Sequence, residues 1–239
     1  MEHSRTPGIH GVIAIDKPRG PTSMSMVNLI RRRAGKVKTG HAGTLDPLAT
    51  GVLVLGLGRM TKRLGELTNT IKRYTTVIDL SATTIGHDAE TPPITVEVRR
   101  LPSRPEVETA VQGFHGAIMQ APPIFSAVKI KGRRAYAAAR KGEDVSIDPR
   151  PVVVRDISVI AYDWPTVTIE IECEKGFYVR SLARDLGEAL NVGGYCLEIR
   201  RTAVGPFTIE MAIALEDLPD IITQEDLVLP DQVDQLLSL

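Results

Sequence analysis

Residues 40–53 read G-H-A-G-T-L-D-P-L-A-T-G-V-L. One carboxylate, Asp46, stands in a run otherwise short of polar chemistry, and a strand-like apolar stretch comes directly after it. A solvated surface loop carries several charges; this one carries a single acid held by backbone punctuation. The residue before a proline is pushed towards extended φ/ψ, so Pro47 restricts Asp46. Glycines 40, 43 and 51 allow close backbone approach around it. An Asx turn or N-cap is the commoner use of an Asp-Pro pair. A carboxylate presented for chemistry is the sharper one.

The chain has 239 residues, enough for one large domain or two small ones with a real core. Apolar content of 43% and charged content of 24% are those of an ordinary globular protein. No apolar run is long enough to span a bilayer, and M-E-H-S-R-T-P-G lacks a signal-peptide core. Two cysteines, Cys173 and Cys196, make neither a disulfide framework nor a zinc site. Cys173 takes an apolar slot of the alternating T-I-E-I-E-C-E, as a small buried hydrophobe does. A cytoplasmic setting without a membrane partner is the expectation.

The net charge is zero, yet its distribution is uneven. Residues 1–80 carry +8, residues 81–120 carry −2, and residues 121–160 carry +4. Residues 161–205 carry −2, and residues 206–239 carry −8 with no cation at all. A polyanion feels the local field of the basic segments more than the total, because screening limits reach to roughly 8–10 Å. Arg31–Arg33, Lys36 and Lys38 before the Asp46 loop, and Lys129–Arg134 further on, are suited to phosphates. A solvated face is the plain alternative.

Strand-like runs at G-V-I-A-I-D, Gly51–Leu57, Tyr74–Leu80, I-F-S-A-V-K-I, Val152–Tyr162, Thr166–Cys173 and Tyr195–Ala203 alternate irregularly with helical ones. The helices are expected after Thr22 or Ser23 as N-cap, over 59–69, around Glu106–Gln112, at R-A-Y-A-A-A-R and over Tyr178–Leu190. Without a regular βα repeat the pattern predicts an α+β fold. Leu227, Leu229, Val233, Leu236 and Leu237 give the acidic end an apolar helical face.

Several chemistries are excluded. Gly51-V-L-V-L-Gly56 has the Walker glycine spacing but Leu57-Gly58 where Lys-Ser/Thr belongs, and Gly56-L-Gly58 lacks the third glycine of a dinucleotide fingerprint. Five histidines show no metal spacing, and no G-x-S-x-G elbow occurs. There remain K-R-Y at 72–74 and K-G-F-Y-V-R-S at 175–181, where cations neighbour Tyr74 and Tyr178. Cations beside aromatic rings suit phosphates and a stacked base. Core rings with hydroxyls at the edge are the alternative.

In order, G-V-I-A-I-D-K-P-R-G-P-T-S, G-H-A-G-T-L-D-P-L-A-T-G-V-L, K-R-Y and K-G-F-Y-V-R-S resemble the TruB-type tRNA pseudouridine synthases, from about Gly8 to the end of the chain. P-P-I-F-S-A-V-K and Y-A-A-A-R-K-G-E-D-V resemble the bacterial branch. The resemblance implies a pseudouridine synthase catalytic fold, with a mixed, largely antiparallel sheet flanked by helices. It implies Asp46 as the catalytic aspartate, Tyr74 stacked on the target base, and Arg180 paired with Asp46. His41 and Lys62 match positions lining an RNA-binding cleft, with Tyr178 and Lys129 counted among the substrate-binding residues. Lys17 and Pro18 match a motif that buttresses the active-site loop. Asp88 matches an acid of the Arg180 network, and Arg140 a basic residue near it.

Where the family shows T-D-T-x-D, this chain has T-I-G-H-D at Thr84–Asp88. It stops near the point where many relatives begin a PUA domain, which implies tRNA binding by the catalytic domain alone. The expected organisation is a flexible N-terminus over 1–8, a catalytic domain over 9–210 and an acidic segment over 211–239. The implied partner is the T-arm of tRNA, bound by a monomer that needs no cofactor and no metal. A synthase acting on another RNA, and an RNA-binding or tRNA-folding protein, are the rival expectations.

Overall fold

The computed structural model describes residues 8–125, 129–130, 133–134 and 147–238. Of the expected strand over 124–130, residues 124–125 form a bend, 129–130 are strand and 126–128 lie outside the described residues, as do Arg140 and all but the first residue of the helix expected at R-A-Y-A-A-A-R. The chain divides into two compact units, one of residues 1–72 and 200–239, the other of residues 73–199.

The first unit opens with strand β1 (Gly11–Lys17) and helix α1 (Ser23–Arg33). Of the two cap candidates, Thr22 accepts from the Ser25 N–H at 3.0 Å, while Ser23 turns inward and is used elsewhere. Strand β2 (Thr39–His41) leads into the Asp46 loop, and β3 (Thr50–Leu57) leaves it. The expected helix over 59–69 is broken: a 3-10 turn at Gly58–Lys62 precedes helix α2 (Leu64–Thr68). Thr61 Oγ1 donates back to the Gly58 carbonyl at 2.8 Å, and such back-bonding favours the tighter turn.

The second unit begins one residue into β4 (Lys72–Asp79) and continues through β5 (Ala82–Thr83) and β6 (Ile94–Thr95). Helix α3 (Arg104–Gln112), capped by Ser103 and Glu106, precedes β7 (Gly116–Gln120) and the short pair β8 (Lys129–Ile130) and β9 (Arg133–Arg134). The long strands β10 (Arg150–Asp163) and β11 (Thr166–Cys173) form an antiparallel hairpin, followed by helix α4 (Val179–Leu190). Its sheet runs β12-β4-β11-β10-β7, where β12 is Tyr195–Val204.

The end of β12 belongs to the first unit, together with β13 (Phe207–Thr208), β14 (Ile213–Ala214) and helix α5 (Pro230–Leu237). There β1 pairs antiparallel with β3 and parallel with β14, and β12 pairs parallel with β3 at Arg200↔Thr50 and Arg201↔Gly51. The fold is α+β with mixed sheet pairing, as the sequence predicts.

The acidic end is sewn into this unit. Val233 of α5 is fully buried in the core cluster with Val12, Val54, Met60 and Phe207. Val12 and Val228 exchange backbone hydrogen bonds. Arg33 donates to the Leu218 and Pro219 carbonyls, and Arg63 to Asp234. Leu227 is buried, whereas Leu229 is 40% exposed, so the expected apolar face is only partly used. No helix among the described residues is long and apolar enough to cross a membrane.

Candidate active site

Asp46 is half-buried at the tip of the loop between β2 and β3. The loop is held from three directions by buried polar side chains. Ser23 Oγ donates to the Leu45 carbonyl and accepts from the Leu45 N–H, both at 2.8 Å. Lys17, with no exposed surface, donates its Nζ to the carbonyls of Pro18, Pro21 and Pro47. Arg201 is 2% exposed and donates Nε to Val52 O at 2.8 Å, Nη1 to Thr44 O at 3.3 Å and Nη2 to Gly43 O at 3.2 Å. Burying either cation without such partners would cost several kcal/mol. Backbone bonds complete the frame, with Gly20 N–H on Pro47 O and Ala42 N–H on Val54 O.

Lys17 therefore ties the turn after β1 to the Asp46 loop. Arg201 does not figure in the sequence reading, and Ser23 figures there only as a cap candidate. The signal for Arg201 was present: in β12 it shares the buried face with Ile199 and Ala203, and a cation in an apolar register is a cation with a task. Its neighbour Arg200 points to the other face and forks onto Asp16 at 2.7 and 3.2 Å.

His41, the last residue of β2, is half-buried. Burial, and then the Arg201 charge, hold its pKa below the ordinary 6.5, so the imidazole is neutral at pH 7. Lys62 is exposed at the end of the 3-10 turn. Lys72 is not the phosphate contact that K-R-Y suggested: it is 6% exposed, with Nζ turned onto the carbonyls of Thr68, the last residue of α2, and Thr70 just after it.

The second unit carries the other predicted residues. Tyr74 is half-buried on β4, and its neighbour Arg73 pairs with Glu172 at 2.7 Å. Arg180 lies in the first turn of α4, 5% exposed. Its Nη1 donates to Asp88 Oδ2 and to the Gly86 carbonyl, each at 3.1 Å, and its Nη2 to the Phe125 carbonyl at 2.8 Å. Asp88 thus pairs with Arg180 at the end of the T-I-G-H-D turn. Gly86 gives Arg180 a carbonyl, and a Cβ there would come to 3.1 Å from Asp88 Oδ1. Ile85, in place of the family's acid, is 61% exposed.

Tyr178 is half-buried and caps α4 without using its own side chain. Gln120 does it instead: Oε1 accepts from the Tyr178 N–H at 2.8 Å and Nε2 donates to the Tyr178 carbonyl at 3.2 Å. Ser181 Oγ and Arg184 Nη2 both donate to the Ala121 carbonyl. The Gln120–Phe125 segment is thereby stitched to the helix that bears Arg180. Gln120 is another residue the sequence reading missed, because its partners are backbone atoms far along the chain. Lys129 lies in β8. Among the described residues no cluster of His, Cys, Asp and Glu is arranged to hold a metal ion.

The family model "TruB family pseudouridylate synthase (N terminal domain)" matches residues 31–179, and "tRNA pseudouridylate synthase B C-terminal domain" matches residues 180–238. The chain is 47% identical over 217 residues to tRNA pseudouridine synthase B of Corynebacterium diphtheriae, spanning 88% of this chain and 72% of that one. With the protein of the same name from Phocaeicola vulgatus it shares 41% over 222 residues, spanning 90% and 94%. Among solved structures it resembles a chain of a Cbf5-Nop10-Gar1 complex, with a TM-score of 0.67 and 33% identity. It also resembles a chain of an H/ACA RNP bound to a substrate RNA containing 2'-deoxyuridine, with a TM-score of 0.64 and 30% identity. Each likeness covers 87% of this chain but only 53% and 52% of those, so the chain spans about half their length. The chain belongs to the TruB family of pseudouridylate synthases, which are isomerases.

Proposed function

We propose that this chain isomerises one uridine in the T-loop of tRNA to pseudouridine, with Asp46 as the catalytic carboxylate. The observation that carries the reading is the loop itself, a lone acid on a backbone fixed by Ser23, Lys17 and Arg201. Preorganisation of this kind is what a reacting carboxylate needs. Its family and the name shared by its relatives supply the reaction and the RNA class.

The reaction breaks an N-glycosidic bond, turns the uracil and rejoins it through carbon, so every atom is retained. A carboxylate serves as nucleophile or base only when ionised. Arg180, held by Asp88, Gly86 and Phe125, is the buried cation assigned a catalytic role. A stacked T-loop base must be extruded, at a cost of a few kcal/mol. Stacking on Tyr74, about 1–3 kcal/mol, offsets part of it. Neutral His41 is the side chain assigned to the vacated place in the RNA stack. Lys62, Tyr178, Lys129 and Arg140 are assigned to RNA contact in a catalytic domain over 9–210 that acts as a monomer.

The test is to incubate the protein with an unmodified tRNA transcript and map pseudouridine at single-nucleotide resolution. One modified T-loop uridine, abolished when that base is replaced by cytidine, is the expected result. Modification spread over other loops would remove the T-loop assignment.

A further inference from the structure

The basic run that precedes the Asp46 loop is not uniform, and the structure sorts it. Arg33 is spent on the fold: its guanidinium holds the Leu218 and Pro219 carbonyls and faces Asp220 at 3.7 Å. Arg31, Lys36 and Lys38 are exposed and have no ion pair among the described residues. These three line one cavity of about 290 Å³, together with Met24, Val27, Asn28 and Thr39. Met24, Val27, Asn28 and Arg31 stand at i, i+3, i+4 and i+7, so they form a single stripe of α1. Lys36, Lys38 and Thr39 make the facing wall, and Thr39 begins the strand that ends at His41.

The backbone gives an independent sign. Lys36 has φ of 66°, directly after Gly35 at 63°. The Lys36 N–H closes the helix end on the Arg31 carbonyl at 2.8 Å. A left-handed position of this kind favours glycine, and a side-chain-bearing residue kept there points to a use for the side chain. Here the use is a cation at the mouth of the cavity.

We propose that this cavity binds one ribose–phosphate unit of the RNA substrate. The phosphate sits among Arg31, Lys36 and Lys38, the sugar lies against Met24 and Val27, and the Asn28 amide is placed for a hydroxyl. The size suits a sugar–phosphate rather than a whole stacked nucleotide. The cavity thereby fixes the register of the strand entering His41 and the Asp46 loop. This deepens the reading of the substrate as tRNA and rests on it.

The experiment measures tRNA binding and steady-state modification as a function of salt for wild type, Lys36→Gly, Arg31→Gln and Lys38→Gln. Arg99→Gln, which removes an exposed cation of the other unit, is the control. Each neutralised phosphate contributes about 0.7–0.9 to the slope of log K against log salt, which at 0.1 M is roughly a 5–8-fold loss of affinity. That loss is expected for each cavity variant, with KM raised, kcat within about twofold, and a slope lower by the same increment. Lys36→Gly is the decisive variant, because glycine suits its backbone and the melting temperature should hold or rise. Unchanged affinity and slope in the cavity variants, or an equal loss in Arg99→Gln, would overturn the site. Wild type that modifies no tRNA would overturn the underlying reading instead, and with it the ligand.

Discussion

Gln120 and Tyr178 hold one another through two hydrogen bonds that copy a strand pairing, side-chain amide against backbone amide. Gln120 is 1% exposed, so neither bond is shared with solvent. The pair fixes the start of α4, two residues before Arg180. Replacing Gln120 with Leu strands the buried Tyr178 N–H at about 1–3 kcal/mol, while the Tyr178 carbonyl keeps the Leu182 N–H. We expect kcat to fall at least tenfold with KM little changed, measured on tRNA transcript at a temperature where the variant remains folded. A loss of stability with kcat intact would reduce Gln120 to a structural residue.

The Arg180–Asp88 ion pair is nearly dry, with side chains 6% and 4% exposed. Removing one partner of such a pair leaves a buried charge and typically costs about 3–5 kcal/mol. Asp88→Leu should therefore lower the urea midpoint well below that of Arg73→Gln, which breaks an exposed pair. Equal midpoints would contradict the weight given to this pair.

Arg201 joins loop geometry to the protonation state of His41. Arg201→Met removes the donors on Gly43, Thr44 and Val52, and it removes one of the two influences that depress the His41 pKa. NMR titration should show His41 moving upward towards 6.5 while turnover falls more steeply than tRNA affinity. A downward move would contradict the charge assignment.

His87 gives a pH dependence with a defined sign. Burial first, then Arg184 and Arg180, lower its pKa from 6.5 to about 4. As pH falls below 6.5 the unfolded chain takes up the proton first, so the native state loses stability down to about 4 and no further below it. His87 has φ of 56°, which asparagine tolerates. Urea midpoints of His87→Asn should decline less than wild type between pH 7 and pH 5. An identical decline would place the titration elsewhere.

Much of this was legible in the sequence. Strands with clear alternation or continuous apolar runs, such as β3 and β11, lie where they were expected, because a local period reports a face. The Asp46 loop was legible as rigid because Gly and Pro act locally. Arg201, Ser23 and Gln120 were not, since their partners are carbonyls and amides brought close only by the fold. Nor was the return of the acidic end to β1, which depends on one buried valine and on cations far along the chain. The short strands β2, β7, β13 and β14 owe their existence to pairing partners rather than to propensity.

The central claim is that Asp46 performs the chemistry. The most direct measurement compares wild type with Asp46→Asn on one unmodified tRNA transcript, mapping pseudouridine at single-nucleotide resolution and measuring tRNA affinity in parallel. We predict a T-loop pseudouridine from wild type and none from Asp46→Asn, with affinities within a few fold of one another. Full modification by Asp46→Asn would contradict the account and move the reacting group elsewhere in the chain.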